Sequence, residues 1–344
     1  MSRRARILSV ALAGAAALAL VVGGSVEATA APSASGSTIS VSTSAQLLAA
    51  LKAVQPGDTI SLADGTYSGT FTGTTSGTAG APITMTGGSG AILTNGDKSG
   101  AIGSGYGFHL EASYWKVTGF SIDNSAKGIV LDGANNDVLD GLTVHHIGDE
   151  GIHLREFSSN DIVEHCKVYD TGTGTAGYGE GIYVGTSNGN WGTYTHGKPD
   201  LSNNNQILDN TVGPNVRADN LDVKEATVGG TISGNTFNAQ GETGQNYSND
   251  IVAVKGNNYT VTNNTLVNPR QDGFEVENLW KKAGCGNTFK NNNINMAGEK
   301  YKGYGFNVKD QTTTCKASPN VIGTSNTVTN PGKGASTIPE TPGV

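Results

Sequence analysis

The chain has 344 residues, 50 of them glycine, with 15% charged side chains and a formal net charge of −7. An acidic chain without a basic stripe argues against nucleic acid as the partner. Short apolar runs separated by Asn, Thr and Gly favour one turn-rich β domain over a helical protein.

The first thirty residues predict a signal peptide. A basic "MSRRAR" precedes the apolar "ILSVALAGAAALALVVGG", and "ATA" at 28–30 is a small-residue cleavage site. We therefore expect a secreted, extracellular protein that starts near Ala31, exported by the general or the twin-arginine route. A membrane anchor is the alternative, but the apolar stretch is barely long enough to cross a bilayer. The mature chain keeps 19 basic and 28 acidic residues, a net charge of −9.

After a flexible segment at 31–37, "SAQLLAALKAV" at 44–54 is the one good amphipathic helix of the sequence. We expect it to cover the open first edge of a β structure.

A five-residue phrase with apolar second and fourth positions then recurs at intervals of 21 to 39 residues. This alternation is typical of a strand with one buried face, and the shortest intervals indicate the length of the repeat unit. The phrases are "GFHLE" at 107, "GIVLD" at 128, "GIHLR" at 151, "GIYVG" at 181, "NLDVK" at 220, "IVAVK" at 251, "GFEVE" at 273 and "GFNVK" at 305.

Most repeats carry a second apolar segment, such as "NDIVEHCKV" at 160. Two short strands per coil, with no helix between them, predict an all-β, single-stranded right-handed parallel β-helix over residues 38–330 with a short N-terminal capping helix. Asn210, Asn235, Asn264 and Asn292 share one register, as stacked side chains at a bend do. A propeller, which needs four strands per blade, is the weaker alternative. The Pro- and Gly-rich tail at 331–344 is expected to be disordered.

The same stacking places the cysteines. Cys285 and Cys315 lie 12 and 10 residues after the starts of adjacent phrases, within reach of a disulfide. Cys166 falls at an apolar strand position and is expected to be a buried thiol.

The third and fifth positions of the phrases should form two columns on one outer face. A plain β surface would favour Thr, Ser and Val, whereas these columns collect ionisable side chains. The third-position column is Val130, His153, Tyr183, Asp222, Ala253, Glu275 and Asn307; the fifth-position column is Asp132, Arg155, Gly185, Lys224, Lys255, Glu277 and Lys309.

Carboxylates precede five successive phrases, at Glu150, Glu180, Asp219, Asp250 and Asp272. Stacked acids repel one another, so they need compensation by backbone amides, by nearby arginines or by a cation. Calcium, held by Glu180, Asp219 and Asp250, is the expected cofactor, with hydrogen bonds to turn amides as the alternative.

Lys224 lies among these acids in "RADNLDVKE". Removing the C5 proton of a uronate needs a base and a charge that neutralises the sugar carboxylate. We predict Lys224 as the base, with a pKa lowered by Lys255 one coil away and raised by Asp219 and Asp222 unless a metal occupies them. Asp222 and Arg155 complete the catalytic set. Arg155 or Lys255 would bind the carboxylate or protonate the leaving oxygen; Tyr183 or His153 are alternatives for proton transfer, and a solvated lysine is the plain one.

Residues 55–85, "QPGDTISLADGTYSGTF" followed by "GTAGAPITM", resemble the opening of the alginate lyase and chondroitinase B family of secreted polysaccharide lyases. Residues 38–330 as a whole are similar to secreted pectate-lyase-like β-helix proteins. The resemblance implies polysaccharide degradation by β-elimination, a lysine base with an arginine partner, and often calcium. By column position only Lys224 and Arg155 match those roles, and the family's local motif around its lysine is not recognisable.

Two other classes stay open. Glu275 and Glu277, or Asp222 and Glu275, have spacings near those of an inverting glycoside hydrolase, and a non-catalytic carbohydrate-binding surface protein is the third reading. Expected substrate-binding residues are His153, Tyr183, Glu275, Glu277, Lys309 and, on the long loop at 186–205, Trp191, which alternatively packs that loop onto the coil. A polysaccharide is the expected partner, with no membrane and no nucleic acid, and the protein is expected to be a monomer.

Overall fold

The computed structural model describes residues 36–96, 105–281, 283–298, 300–309, 311 and 313–344. The predicted signal peptide lies outside these residues. Among them, no helix is long and apolar enough to cross a bilayer. The described chain winds through three parallel sheets, and each strand pairs with the equivalent strand of the next coil. The fold is the expected right-handed parallel β-helix.

Each sheet has ten or twelve described strands. Sheet A contains Thr38–Val41, Thr59–Leu62, Ile83–Gly87, Trp115–Thr118, Val138–Asp140, Ile162–Glu164, Gln206–Leu208, Thr231–Ser233, Thr260–Thr262, Thr288–Lys290, Val321–Gly323 and Glu340–Thr341. Sheet B contains Gly65–Ser68, Ala91–Thr94, Ser121–Asp123, Thr143–His145, Lys167–Tyr169, Thr211–Val212, Thr236–Asn238, Thr265–Val267, Asn293–Asn295 and Thr327–Thr329. Sheet C contains Thr72–Gly73, Tyr106–Leu110, Lys127–Asp132, Ile152–Arg155, Ile182–Val184, Leu221–Val223, Asp250–Val254, Asp272–Val276, Tyr304–Val308 and Gly334–Ser336.

All eight recurring phrases lie in sheet C, so the predicted repeat is confirmed. Each full coil has three strands instead of the two expected. The second segment of the repeat is bent: in "NDIVEHCKV" the strands Ile162–Glu164 and Lys167–Tyr169 meet at His165, whose φ of 52° lies in the left-handed region. A single apolar run therefore spans two sheets, because one left-handed residue turns the chain between them.

Stacked asparagines stabilise this bend, as predicted. The side-chain amide of Asn210 donates to Asn235 Oδ1 at 3.0 Å, and Asn235 and Asn264 each donate to the next asparagine of the ladder at 2.9 Å. Each carbonyl oxygen also accepts a backbone N–H of the preceding coil. The ladder satisfies polar groups that the bend buries.

The interior is apolar along the whole described solenoid. The second and fourth residues of the phrases point inward, as Ile152 and Leu154 do, and are fully buried. Near the last phrases Phe274 stacks on Phe306 and both pack edge-on against Phe289, with ring centroids 5.2 to 5.5 Å apart. This continuous core fixes the register, since a shift by one residue would turn the apolar face outward.

Covers lie at both ends of this core. The predicted helix is present as Ser44–Ala53, with the Thr43 hydroxyl accepting from the Gln46 N–H, and it buries Leu47, Ala50 and Leu51. At the other end the prediction of a disordered tail is wrong. Strands Gly334–Ser336 and Glu340–Thr341 pair with the last full coil, so the strands continue past residue 330.

The cysteine predictions are confirmed. Cys285 and Cys315 form a disulfide with Cα atoms 5.2 Å apart, and Cys166 is free and buried. Burial raises the pKa of the Cys166 thiol to about 12, so that thiol is unreactive at neutral pH.

Candidate active site

A cleft of about 580 Å³ lies along sheet C. Its floor is formed by the two predicted columns and its walls by loops inserted between coils. These loops include the short helices Ala176–Tyr178, Asn188–Asn190, Trp191–Tyr194 and Gln245–Tyr247. The cleft is lined mainly by ionisable and aromatic side chains, which include Glu150, His153, Tyr178, Glu180, Tyr183, Tyr194, Asp219, Asp222, Lys224, Tyr247, Asp250, Lys255, Glu275, Glu277 and Lys309.

The five carboxylates that precede the phrases form one in-register row, which we call the acidic ladder (Glu150, Glu180, Asp219, Asp250 and Asp272). Burial raises the pKa of Glu180 to about 8 and that of Asp219 to about 7, and neighbouring acids reinforce both shifts. Burial, together with Glu275, raises the pKa of Asp250 well above its usual value. Without a cation, these carboxyl groups therefore retain protons near neutral pH.

The carboxylates at the ends of the ladder are paired, whereas each of the three in the middle keeps one oxygen without a hydrogen-bond partner in the described chain. Glu150 forms an ion pair with Lys127, and Asp272 accepts from the Tyr304 N–H at 2.6 Å and from Asn307 at 2.8 Å. Oε2 of Glu180 and Oδ1 of both Asp219 and Asp250 are buried and have no hydrogen-bond partner among the described residues.

Unpartnered buried carboxylate oxygens fit a hard divalent cation such as calcium. These oxygens belong to Glu180, Asp219 and Asp250, the three residues predicted as calcium ligands, which favours that prediction. The acids whose oxygens converge within 4.8 Å of one another, however, are Asp250, Asp272 and Glu275. Asp250 therefore belongs to both candidate sets.

Asp222 lies between two lysines at the centre of the cleft floor. Its Oδ2 is 2.5 Å from Lys224 Nζ and its Oδ1 is 2.9 Å from Lys255 Nζ. All three side chains are largely buried. The predicted columns thus bring Asp222, Lys224 and Lys255 together, as the in-register stacking requires.

The predicted lowering of the Lys224 pKa is wrong. Burial does lower it, but Asp222 and Glu180 outweigh burial, and the pKa of Lys224 lies above its ordinary value. The pKa of Lys255 is also raised, because Asp222 outweighs burial and the like charge of Lys224. The proximity of the two lysines does not lower their pKa values, because the Asp222 carboxylate lies between them and is closer to each ammonium group than the other lysine is.

Tyr183 and His153 form the aromatic part of the floor, with ring centroids 4.3 Å apart. Lys224 Nζ lies 4.9 Å from the centre of the Tyr183 ring. Burial, and then Asp222, raise the pKa of Tyr183 far above its ordinary value, so the phenol keeps its proton. Burial lowers the pKa of His153 to about 3. The neutral ring donates from Nε2 to the Gly185 carbonyl at 3.0 Å, leaving Nδ1 as an acceptor without a hydrogen-bond partner among the described residues.

Two predicted site residues are placed elsewhere. Arg155 is buried and donates to Asp132 at 2.6 and 3.0 Å and to the Tyr106 hydroxyl at 3.0 Å, so it is paired away from the cleft. Its column neighbour Asp132 captures it because parallel pairing sets the two directly side by side. Trp191 also does not line the cleft.

The long loop shows why Trp191 is turned away. Its indole N–H donates to the Thr186 carbonyl at 2.8 Å, and its ring packs edge-on against Trp280 at 4.9 Å. This is the packing alternative given above. Tyr194 of the same loop lines the cleft instead and covers the Arg155 guanidinium at 4.2 Å.

Glu275, Glu277 and Lys309 line one end of the cleft, as predicted. Lys309 forms ion pairs with both glutamates, at 3.2 Å to Glu277. The sequence reasoning missed Tyr178 and Tyr247, which are 54% and 93% exposed on the cleft rim. Their only signal in the sequence is that they lie in the longer insertions between phrases.

Comparison with solved structures identifies similar proteins. An alginate lyase from Paenibacillus sp. str. FPU-7 is 36% identical, with 87% of this chain and 98% of that chain covered and a TM-score of 0.78. Pectate lyase Pel9A is 18% identical, with 85% and 72% covered and a TM-score of 0.62. A lacto-N-biosidase from Eubacterium ramulus is 13% identical, with 88% and 67% covered and a TM-score of 0.56; the last two likenesses show the fold alone. No curated protein sequence matches the chain.

The three-sheet solenoid and its lysine-bearing cleft define a pectate-lyase-like β-helix protein, and the similarity to the alginate lyase supports polysaccharide lyase as its enzyme class. More particularly, the chain belongs to the Pel9A-like right-handed β-helix family, whose model matches residues 26–197.

Proposed function

We propose that the protein is a lyase that cleaves a uronate-containing polysaccharide by β-elimination, with alginate as the first candidate substrate. The observation that carries the proposal is the Lys224–Asp222–Lys255 cluster beside Tyr183 on the floor of the cleft. The 36% identity to an alginate lyase over nearly the whole of that chain supports the choice of substrate.

β-Elimination needs three groups from the protein: a base, a proton donor and a positive charge. A base takes the proton from C5, the electron pair forms the C4–C5 double bond, and the C4–O bond breaks while its oxygen accepts a proton. A positive charge near the sugar carboxylate stabilises the charge that develops during proton removal. Lys255 would supply that charge, and the protonated phenol of Tyr183 would protonate the leaving oxygen.

Lys224 would be the base, once it has lost its proton. Asp222 and Glu180 are the carboxylates that hold this proton. Burial raises the pKa of Glu180 to about 8, so a proton or a cation bound to Glu180 would remove one of the two opposing charges. His153 is neutral, and its buried Nδ1 lies 3.7 Å from Glu150 Oε1, so the ring is suited to support the cleft floor, not to carry charge.

Calcium assistance is part of the proposal. Glu180, Asp219 and Asp250 would hold the ion, or Asp250 with Asp272 and Glu275. Its charge would neutralise acids that otherwise hold the Lys224 proton and would attract an anionic polymer into an acidic cleft. Activity should then fall after chelation and return with calcium, and Asp250→Asn, which belongs to both ligand sets, should weaken the response. Full activity in the chelator would remove calcium from the proposal.

The main test is an assay of the mature protein on polymannuronate, polyguluronate, pectate, glucuronan and chondroitin. A lyase produces unsaturated uronate ends, followed by ultraviolet absorbance. Lys224→Ala should lose activity by about 10²- to 10⁴-fold, the usual contribution of a general base. The matched control is Lys116→Ala, an exposed lysine on sheet A.

Other outcomes would change the assignment. New reducing ends without ultraviolet absorbance would indicate the hydrolase alternative, and binding without cleavage would indicate a carbohydrate-binding protein. The ion pairs of the cleft speak against the hydrolase, since Lys309 pairs with Glu275 and Glu277, and Asp222, the other acid considered for it, pairs with Lys224 and Lys255. We also propose secretion, through cleavage near Ala31, and a monomeric state; N-terminal sequencing of exported protein and size-exclusion chromatography test them.

A further inference from the structure

A second cluster of potential ligands lies on sheet B, apart from the cleft residues. Parallel pairing aligns Asp123, His145 and Tyr169 at the ends of three successive strands. His146 follows His145 in the bend, in register with Asn124 and Asp170. Residues 22 and 24 positions apart in sequence therefore become lateral neighbours.

Three donor atoms converge in this cluster. Asp123 Oδ1 lies 2.9 Å from His146 Nδ1 and 3.4 Å from His145 Nδ1, and the two ring nitrogens are 2.8 Å apart. Around a divalent ion with bonds of about 2.0–2.2 Å, neighbouring ligand atoms lie about 3.3–3.6 Å apart in tetrahedral geometry and about 2.8–3.1 Å apart in octahedral geometry, so the three separations fall within the range of metal ligands. Two imidazoles and one carboxylate are also the donor types that first-row transition metals prefer.

Hydrogen bonding alone accounts poorly for this arrangement. A neutral imidazole has one N–H, and two nitrogens in contact can share only one proton. Two protonated rings at 2.8 Å would repel each other. A cation between the three atoms uses all three lone pairs.

Surrounding groups hold the rings in place. His146 Nε2 lies 3.6 Å from Asp170 Oδ2, and the other Asp170 oxygen accepts from Asn215 at 2.8 Å. A carboxylate facing the far nitrogen is the usual outer partner of a metal-bound histidine. His145 stacks on Tyr169 with ring planes 2° apart and centroids 5.0 Å apart, which limits rotation of its ring.

A neighbouring cluster provides a comparison. Asp140, Glu164 and His165 also converge, but only one imidazole is present. His165 Nδ1 lies 2.9 Å from Asp140, a simple ion pair, and this hydrogen bond raises the pKa of His165. His165 and His146 share a left-handed backbone, with φ of 52° and 53°.

We propose that Asp123, His145 and His146 bind one divalent transition-metal ion of the Zn²⁺ class, with water completing its coordination. None of the three lines the cleft, so the site is independent of the lyase reaction. The ion would link two successive coils directly and a third through Asp170, and would act as a staple on the outside of the solenoid.

The test is titration of the full mature chain, without an affinity tag and after chelation, with zinc chloride as the titrant. Isothermal calorimetry is run with excess calcium present, to occupy hard carboxylate sites. We expect one equivalent of zinc to bind and to raise the melting temperature. His146→Asn, compatible with a left-handed backbone because Asn124 has the same φ, should weaken binding by about 100-fold.

His165→Asn is the matched control and should bind zinc as the wild type does. Asp123→Asn is the second variant, used if His146→Asn does not fold by circular dichroism, and should weaken binding at least tenfold. Absence of saturable zinc binding in the wild type, or unchanged binding in the folded variants of His146 and Asp123, would overturn the proposal and leave a hydrogen-bonded surface cluster.

Discussion

Asp222 controls both lysines of the candidate site, because its two oxygens face one ammonium group each. In Asp222→Asn the two cations lose their counter-ion and keep a like-charged neighbour, so both lysine pKa values should fall. If Lys224 is the base, kcat/KM rises with pH as Lys224 loses its proton. In the variant, this rising limb of the pH profile should lie at lower pH. Profiles of the wild type and the variant check this.

Asp222→Glu keeps the negative charge and serves as the control, with its limb expected near that of the wild type. The asparagine variant should also be less stable by about 3–5 kcal/mol, because it leaves buried charges unpaired; folding is therefore verified at each pH. An unmoved limb in the folded asparagine variant would mean that Lys224 is not the titrating base.

Two other aspartates act through retained protons. Asp137 and Asp161 occupy the in-register position that Asn205 takes in the next coil, and each has a buried Oδ2 without a hydrogen-bond partner in the described chain. Burial raises the pKa of Asp137 to about 8 and that of Asp161 well above its ordinary value. As folded groups they hold protons that the unfolded chain releases near pH 4.

The contribution of these two carboxyl groups to the free energy of unfolding should therefore be largest below pH 4 and should decrease as the pH rises toward 8. The decrease is at most about 1.4 kcal/mol per pH unit for each group. Asp161→Asn, which reproduces the side chain of Asn205, should raise the melting temperature at pH 8 more than at pH 5. Calorimetry at both values measures it, with the exposed Asp64→Asn as control. An equal change at both pH values would show that Asp161 is already ionised.

At this scale the sequence predicts positions better than chemistry. Alternation and register place Asp222, Lys224 and Lys255 on one face, as found. The sequence does not predict the direction of the Lys224 pKa shift or the pairing of Arg155 with Asp132. Both depend on which of several charged groups lies nearest. Differences of a few ångströms decide that, and the spacing of residues along the sequence does not specify them.

At the scale of elements, the rim loops present aromatic side chains to the cleft. Tyr247 is almost fully exposed and has a left-handed backbone, with φ of 66°, which costs a tyrosine on the order of 1 kcal/mol or more. Asn246 donates to the Gly177 carbonyl at 3.0 Å and so ties this loop to the loop of Tyr178. A strained, exposed tyrosine at a cleft edge is suited to stack on a sugar ring.

Tyr247→Ala should raise KM for the polymer by up to about tenfold, the range of one aromatic contact, and leave kcat within about twofold. Tyr301→Ala, an exposed tyrosine that does not line the cleft, is the control. Steady-state kinetics on polymer and on short oligosaccharides separate the two parameters. A fall in kcat with unchanged KM would instead place Tyr247 near the reacting sugar.

Elements were predictable where they repeat. The sheet C strands follow from one recurring phrase, whereas the rim loops have no periodicity, and the orientation of Trp191 depends on contacts with Trp280 that lie 89 positions away. The bend at His165 was missed because a single left-handed residue interrupts an apolar run without the glycine or proline that usually marks a turn.

On the scale of the whole molecule, each coil is stabilised by the coil before it and the coil after it. The covers at the two ends of the described solenoid therefore have the same task, to shield the core and occupy an open strand edge. The helix Ser44–Ala53 was predictable from its pattern. The other cover was not, since "PGKGASTIPETPGV" has the composition of a disordered segment and pairs only because a preformed edge receives it.

Deleting residues 331–344 should lower stability, contrary to what that composition suggests. The segment pairs with Tyr304–Val308 and Val321–Gly323, its Thr337 hydroxyl accepts from the Val308 N–H at 2.8 Å, and Ile338 packs against the core. Removal would expose Phe306 and Ile322, which are fully buried, at a cost of about 1.5–3 kcal/mol for each side chain that becomes fully exposed.

For the deletion variant we expect a melting temperature several degrees lower than that of the wild type and more aggregation through the open strand edge. Replacing the exposed Glu340 by Gln in the full chain is the control, and a deletion variant with the melting temperature of the wild type would contradict the assigned cover.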